Sequence, residues 1–587
     1  MARNTVYLET FGCQMNELDS ELVVGSLRAL GYRFVKEPME AGVVLYNTCS
    51  VREHAEQKVW SRLGELALRK RAEPGLVVGV LGCMAEREGE ALIGRMPVVD
   101  VLVGPGELDK LPRLLDNAVR TRSSLEQGAE RESDGRSRLR SAGQMALQGN
   151  VNRRSSTLAA AADELELLDL SRSFSAQDAE ERGRSAYVRI TRGCNKFCSY
   201  CVVPSTRGAE VHRPPETIVE ECRRLADAGV IEITLLGQTV NHYRFEHGAA
   251  VSVGGIVQPQ KGRAYVIRDG VYEDPYRGAG AGGQKVTTFA DLLAMIHEAV
   301  PSVARLRFVT SFPRSFGDDV LRVIRDHPRI CRYLHVPAQS GSNRMLRLMN
   351  RGYTVEEYLE FLERARAHLH EPAIGRPLTV AGDIIVGFPT ETEEDFAATR
   401  VLLEKARYKN CFIFKYSERP GTIASEKMAD DVPEAVKRRR NAELLALQGR
   451  ISEEVGREFV GMELAVMVEG VSKRERRRAE REAPGGTSAG IALTVSGKPV
   501  GGEAGAPACV MDSSADESHI AAFEDEAEAS GGGVVQMSAR TEGDLIVFFD
   551  EPAARARAMA GRIVRVRVRG HGPLSLTGER VGDARGD

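Results

Sequence analysis

Cys194, Cys198 and Cys201 stand in one short loop with the spacing Cys-x3-Cys-x2-Cys, inside the run Tyr187 to Cys201. Three thiolates so close together can bind three irons of a 4Fe–4S cube, and no fourth cysteine lies nearby in sequence. The fourth iron would then be open to a small molecule. Two other uses of the thiols are a structural zinc site and a disulfide framework. Structural zinc wants four ligands, commonly as two separated pairs, and only His212 is near enough to complete a set. Ten cysteines in 587 residues are too sparse for a disulfide scaffold, which favours metal or redox use.

The loop follows a strand-like run, Tyr187 to Thr191, and Gly193, so it belongs at a strand's carboxyl end. A second set of cysteines emerges from the pattern of the first 118 or so residues, which alternate strand-like and helical stretches. Thr5–Glu9, Val43–Thr48, Leu76–Leu81 and Val98–Val103 read as strands. Glu17–Leu30 reads as a helix, with Asn16 as its N-cap and Gly31 just past its end. Such alternation implies a parallel sheet with helices on its faces. Cys13, Cys49 and Cys83 each follow one of the first three strands. Parallel strands put their carboxyl ends on one edge, where α/β folds bind ligands, so these cysteines should converge. Singly, each reads as a small buried apolar residue. Recurrence at equivalent strand ends points instead to a second three-cysteine metal site.

Residues 184–425 repeat strand then helix. Tyr187–Thr191, Ile231–Leu236, Arg305–Val309, Tyr333–Val336, Leu378–Val386 and Cys411–Lys415 read as parallel strands. Their carboxyl ends carry Gly237 and Gln238 with Asn241, then Gln339 to Gly341, Asp383, and Lys415 to Ser417, where catalytic groups of barrels gather. Each is also ordinary turn chemistry. Thr390 to Glu393 fits a capping box. Cys222 shares a helix face with Ile218, Leu225 and Ala226, so it reads as core. Cys331, Cys411 and Cys509 have no partner at ligand spacing.

Composition is that of a soluble chain, 42% hydrophobic and 28% charged, with a net charge of −3 that hides arginine-rich segments. No apolar run approaches the roughly 18 residues of a membrane span, and Met1 leads straight into a strand pattern rather than a signal peptide. The expectation is a cytoplasmic protein of several domains. Near the carboxyl end, Leu464–Val468, Leu545–Phe549 and Arg562–Arg569 read as strands of a small β-barrel. Val564, Val566 and Val568 share one face of the last, and Arg565, Arg567 and Arg569 the other. That arginine stripe suits a phosphate backbone, and equally a charged edge strand.

The cysteine loop resembles the signature of the radical S-adenosylmethionine (SAM) enzymes. The segments Gly12 to Glu21, Asn47 to Arg52 with Ala55 to Lys58, and Gly82 to Ala85 resemble the amino-terminal domain of the methylthiotransferases within that superfamily. In the core, Leu235 to Gln238, His335 to Arg344, Asp383 to Pro389, and Phe414 to Thr422 match as well. The resemblance implies two 4Fe–4S clusters as cofactors, with SAM. It makes Cys194, Cys198 and Cys201 ligands of the catalytic cluster and Cys13, Cys49 and Cys83 those of an auxiliary cluster that supplies sulfur. It places Tyr200 against the adenine of SAM, and Gln238, Gln339, Ser340 and Asp383 in contact with SAM.

The fold implied is α/β throughout: a parallel-sheet amino-terminal domain (1–118), a linker (119–183), a radical SAM partial (β/α)6 barrel (184–425), a helical connector (426–455) and a TRAM-like RNA-binding barrel (456–583). The activity implied is conversion of N6-isopentenyladenosine-37 of tRNA to its 2-methylthio derivative, one SAM giving the radical and another the methyl group. Related substrates are threonylcarbamoyladenosine-37 and a ribosomal-protein aspartate; a non-catalytic metal-cluster RNA-binding protein is the other alternative. The expected partners are the tRNA anticodon stem-loop and an electron-donor protein, with the chain acting as a monomer away from membranes. Residues 119–183, 245–287 and 474–535 depart from the family pattern as apparent insertions, read as mobile surface segments. Phe312 stands where the family leads one to expect histidine.

Overall fold

A computed structural model gives the architecture, describing residues 4–50, 53–128, 143–147, 166–170, 172, 174–247, 252–253, 256–257, 266–268, 271–273, 286–482, 494–495, 498–499 and 533–583. The linker residues before Glu166 in the expected helix Leu158–Leu170, most of the insertions, and Cys509 lie outside the described residues.

The amino-terminal domain is an all-parallel sheet in the order Arg33–Phe34, Thr5–Phe11, Val43–Thr48, Val77–Gly82, Val101–Val103, Gln144–Ala146. Both faces are covered, which is why Val43–Thr48 and Val77–Gly82 are buried along their whole length. Leu18, Leu22 and Leu27 of the helix Gln14–Ala29 pack on one face. Val59, Leu63 and Leu66 of Glu53–Ala72 pack on the other. Each such burial stabilises by about 1.5–3 kcal/mol before entropy is counted.

Three expectations need correction here. The first helix begins at Gln14 with Cys13 in the capping position. Asn16 is therefore no cap; it lies buried inside the first turn and bonds to Cys13 and Asn47. The strand read as starting at Val98 starts at Val101. The linker is not simply a mobile segment: Leu111–Gly128 is one helix, Gln144–Ala146 adds a sixth strand, and Glu166 to Arg172 carries side chains buried between domains.

Among the described residues, six strands of the core line up side by side in sequence order. Ser185–Arg189, Glu232–Leu236 and Arg305–Phe308 pair in parallel, as do Tyr333–His335, Thr379–Val386 and Asn410–Lys415. A bridge between Leu306 and Ile330 joins the two sets, giving a partial (β/α)6 barrel. Several helices open on capping boxes, Thr288 with Asp291 and Thr354 with Glu357. The one expected at Thr390 is instead Thr392 with Asp395. At the base of the core insertion, Arg244–Glu246 pairs with Val286–Thr288.

The helix Glu434–Glu458 crosses the core and leads to a closed five-stranded barrel. Its strands are Glu463–Val471, Val534–Thr541, Ile546–Pro552, Ile563–His571 and Ser575–Asp583. Val564, Val566 and Val568 fill its interior, as alternation requires. The stripe on the outer face is partly neutralised: Arg567 pairs with Glu463 and Arg569 with Glu579, while Arg565 is exposed. The barrel docks on the amino ends of core strands through Arg305 and Arg307, which donate to carbonyls of Ala465, Arg540, Thr541 and Glu542. No described helix is long and apolar enough to cross a membrane.

Candidate functional site

The loop bearing Cys194, Cys198 and Cys201 leaves the carboxyl end of Ser185–Arg189 and is clamped at its base. Thr191–Arg192 pairs antiparallel with Val211–His212, and Cys194 N donates to Gly208 O (3.2 Å). Gly193 has φ +65°, and a Cβ there would lie 2.1 Å from Ala209 O, so no other residue fits. The far side of the loop rests on the end of the helix Asn343–Leu348. Ser199 N and Oγ donate to Met349 O and Leu348 O, and Asn350 Nδ2 donates to Phe197 O.

Arg351 sits under this loop. Its guanidinium donates to Cys198 Sγ (3.3 Å), Tyr353 Oη (3.0 Å), Pro337 O (3.2 Å) and, at 3.5 Å, Tyr200 Oη. It lies 5.2 Å from the Phe312 ring centroid, and Lys196 Nζ lies over the same ring at 4.3 Å. Two cations thus face three thiols, an arrangement that counters the negative charge of thiolates. Burial nonetheless pushes Cys194 up to about 11 and Cys201 up to about 12, so metal binding would have to displace their protons. Nothing in sequence spacing singles out Arg351; it belongs to a loop more than a hundred residues away.

Cys13, Cys49 and Cys83 do converge. The Cys13 pKa is lowered to about 5, first by a hydrogen bond with Cys49, against burial, then by Arg207. Cys83 is raised by burial and feels both Cys13 and Arg207. Two asparagines brace the set. Asn16 accepts from Cys13 Sγ (3.3 Å) and donates to Asn47 Oδ1 (3.0 Å), while Asn47 donates to Asn16 O (2.8 Å) and Ser20 Oγ (2.9 Å). Gly82, at φ +89°, lets the third loop approach: a Cβ would sit 2.4 Å from Asn47 Oδ1.

The two cysteine sets are joined by the core's own chain. Past Cys201 the backbone forms the short helix Val203–Thr206. Thr206 then bonds to Cys83, and Arg207 pairs with Asp19 (2.9 Å). Arg207 thus faces the amino-terminal cysteines Cys13 and Cys83. Arg419 reaches Glu56 at 3.6 Å from the other side.

The remaining candidates are spread around the same strand ends. Tyr200 packs edge-on to Phe388 (6.4 Å) beside Met345, Met349 and Tyr416. Asp383 pairs with His335 (3.1 Å). Gln339 has φ +71°; its N–H donates to Asp383 O and its carbonyl accepts from Ile385 N–H. Ser340 is buried, with its Oγ 3.4 Å from Thr399 Oγ1. Gln238 is half-buried after Gly237. Asn241 is occupied in bracing the Phe312 backbone from both sides. His212 faces Glu210, His242 and Tyr243 rather than the cysteines. Among the described residues no three His, Cys, Asp or Glu side chains stand at single-ion spacing. Cys222 is core, as its helix face implied.

Comparison with known proteins finds matches to both domains that carry the cysteine sets. Residues 5–104 match the family described as uncharacterized protein family UPF0004, and residues 188–403 match the radical SAM superfamily. A tRNA-2-methylthio-N(6)-dimethylallyladenosine synthase of Rhodopirellula baltica is 41% identical over 80% of this chain and 84% of its own length. One from Porphyromonas gingivalis is 40% identical over 81% and 86%. The methyltransferase TsrM from Kitasatospora setae, solved with cobalamin and a 4Fe–4S cluster, is 15% identical over 72% of this chain and 74% of that chain, with a TM-score of 0.45. That likeness carries no argument; the identities and the two domain matches do. The chain belongs to the radical SAM methylthiotransferases, in the branch of the tRNA-2-methylthio-N(6)-dimethylallyladenosine synthases.

Proposed function

We propose that this enzyme replaces the C2 hydrogen of N6-isopentenyladenosine-37 in tRNA with a methylthio group, one SAM giving a radical and a second the methyl. Cys194, Cys198 and Cys201 would hold one 4Fe–4S cluster, and Cys13, Cys49 and Cys83 the other. The donor sets fit: each is three thiols from loops at strand ends, one faced by Arg351 and Lys196 and the other by Arg207. When bound, the first cluster supplies the electron that cleaves SAM to a 5′-deoxyadenosyl radical, and the second supplies sulfur.

The chain's own groups hold and orient the reactants. Arg351 offsets thiolate charge at Cys198. Asp383 offers a carboxylate to the ammonium or ribose hydroxyls of SAM, and Tyr200 offers a ring face for adenine. Gln238, Gln339 and Ser340 complete the SAM side. The target base is one that can be splayed from a loop, the usual route to sequence-specific RNA contact. The anticodon stem-loop would meet the exposed arginines of the barrel, among them Arg565. The enzyme acts in the cytoplasm as a monomer and takes electrons from a donor protein.

The observation that carries this reading is the meeting of the two cysteine sets through Thr206 and Arg207. Nucleoside mass spectrometry of tRNA from a deletion strain tests it. Accumulated isopentenyladenosine lacking the methylthio group is the expected outcome. Unchanged tRNA rejects the reading, and loss of a methylthiolated threonylcarbamoyladenosine reassigns the substrate.

A further inference from the structure

We infer that Asp169, in the segment between the two domains, is a positioning residue for sulfur transfer. It is the centre of a buried ion network that fixes the Cys13/Cys49/Cys83 set against the Cys194/Cys198/Cys201 loop. The inference rests on the two-cluster reading above.

Asp169 exposes only 2% of its side chain. Its carboxylate meets three guanidiniums: Arg189 (2.6 Å), Arg192, and Arg213 (3.6 Å). Arg192 lies two residues before Cys194. Arg189 turns its other nitrogen to Asp19 (2.9 Å), across 170 positions of sequence. Asp19 lies on the helix that Cys13 opens, and its second oxygen pairs with Arg207 (2.9 Å), which faces Cys13 and Cys83. An unbroken line of alternating charge thus runs from one cysteine loop to the other. Glu166 and Arg172 hold Asp169's segment in place. Glu166 pairs with Arg213 (2.7 Å), and Arg172 with Glu21 and Glu221 (3.5 Å).

Stability alone does not explain such a network. Burying ions costs desolvation that their attraction seldom more than offsets, and apolar replacements often do as well or better. Paired, directional charges instead admit one arrangement of the parts they join. Here the parts are two reactive loops on separate domains, and sulfur must pass from one to a substrate activated at the other. A misplacement of about 1 Å can slow such a step about a hundredfold.

The test uses the full chain, reconstituted anaerobically, as parent, Asp169→Asn, Asp169→Glu and Asp100→Asn. Asp100 is a buried ion-pair partner of Lys70 and Arg122 wholly inside the amino-terminal domain, so its variant reports loss of stability alone. Iron content, 5′-deoxyadenosine released and methylthiolated nucleoside formed are measured together. For Asp169→Asn, iron and 5′-deoxyadenosine should stay within about twofold of the parent, while methylthiolated nucleoside per 5′-deoxyadenosine falls at least about tenfold. Asp169→Glu keeps the charge and should lose less. Asp100→Asn should leave the ratio unchanged.

An unchanged ratio in Asp169→Asn overturns the inference, as does a parallel fall of 5′-deoxyadenosine and product. If the parent itself makes no methylthiolated nucleoside, the functional reading has failed, and hydrogen exchange decides the network separately. Asp169→Asn should then speed exchange in both the Gln14–Leu22 and Ser185–Arg192 segments; faster exchange in one or neither overturns it.

Discussion

Arg351 donates a hydrogen bond to Cys198 Sγ across 3.3 Å, although 153 positions separate them in the chain. The same guanidinium is spread over Tyr353, Pro337 and the Phe312 ring. It therefore ties the cysteine loop to the carboxyl end of the strand Tyr333–His335 and places a cation beside Cys198 Sγ.

Arg351→Gln removes that cation and leaves the thiolate charge less compensated. Hydrogen bonds and charge near cluster sulfurs set reduction potential, so the potential of the Cys194/Cys198/Cys201 cluster should move negative. Release of 5′-deoxyadenosine should fall about tenfold, equivalent to about 1.4 kcal/mol. Arg351→Lys keeps the charge but not the planar fork and should fall between. Potentiometric titration followed by electron paramagnetic resonance checks the first; an unmoved potential removes Arg351 from this role.

The two cysteine sets should separate by function. Cys198→Ala should abolish SAM cleavage, while Cys49→Ala should spare cleavage and prevent methylthiolation. Each variant should hold about four irons per chain where the parent holds about eight. Iron and sulfide counts with product analysis check this, and normal methylthiolation in either variant contradicts the ligand sets.

His335 gives a pH dependence. Burial disfavours its imidazolium, yet the Asp383 carboxylate at 3.1 Å outweighs this and raises its pKa above the ordinary 6.5. A raised folded pKa means stabilisation that is full below the unfolded value and fades as pH climbs through the folded one. Denaturant titrations of parent and His335→Gln should therefore differ most near about pH 5.5 and least near about pH 8.5. A gap that widens with pH would falsify the pairing.

Arg307 anchors the barrel. It is bonded to Glu232 (2.7 Å) inside the core and to the carbonyls of Thr541 (2.6 Å) and Glu542 (2.9 Å) across the junction. Arg307→Met strands Glu232 and those carbonyls, at a cost of about 3–5 kcal/mol. Thermal unfolding should drop, and limited proteolysis should cut sooner between Glu458 and Glu463. Unchanged cleavage there would show that the barrel is held by other contacts.

Arg565 is an exposed arginine of the outer stripe, which Arg569, exposed as well, shares. Arg565→Ala should weaken tRNA binding and flatten the slope of log affinity against log salt by about 0.7–1. Cleavage of SAM without tRNA should be unaffected. Binding isotherms at several salt concentrations check it, and an identical slope places the RNA elsewhere.

Much of the fold and the cysteines of the site were legible because they obey local or periodic rules. The strand–helix alternation placed Cys13, Cys49 and Cys83 on one sheet edge. The errors arose where tertiary contact overrode local preference. Asn16 has the chemistry of an N-cap, but pairing with Asn47 pulls it inside the helix. The segment after residue 118 has the composition of a surface linker, yet its Asp169 is buried against arginines of the core.

Sequence by itself therefore determined which thiols stand close together and at which strand ends they sit, because spacing and periodicity are properties of neighbouring residues. Only the tertiary structure decided that Arg351 faces Cys198, that Asp169 links Arg189 to Arg192, and that Arg207 serves the opposite cysteine set. Those pairings join residues far apart in the chain with no repeating interval. Their partners are fixed by where the packed domains leave a charge to be neutralised.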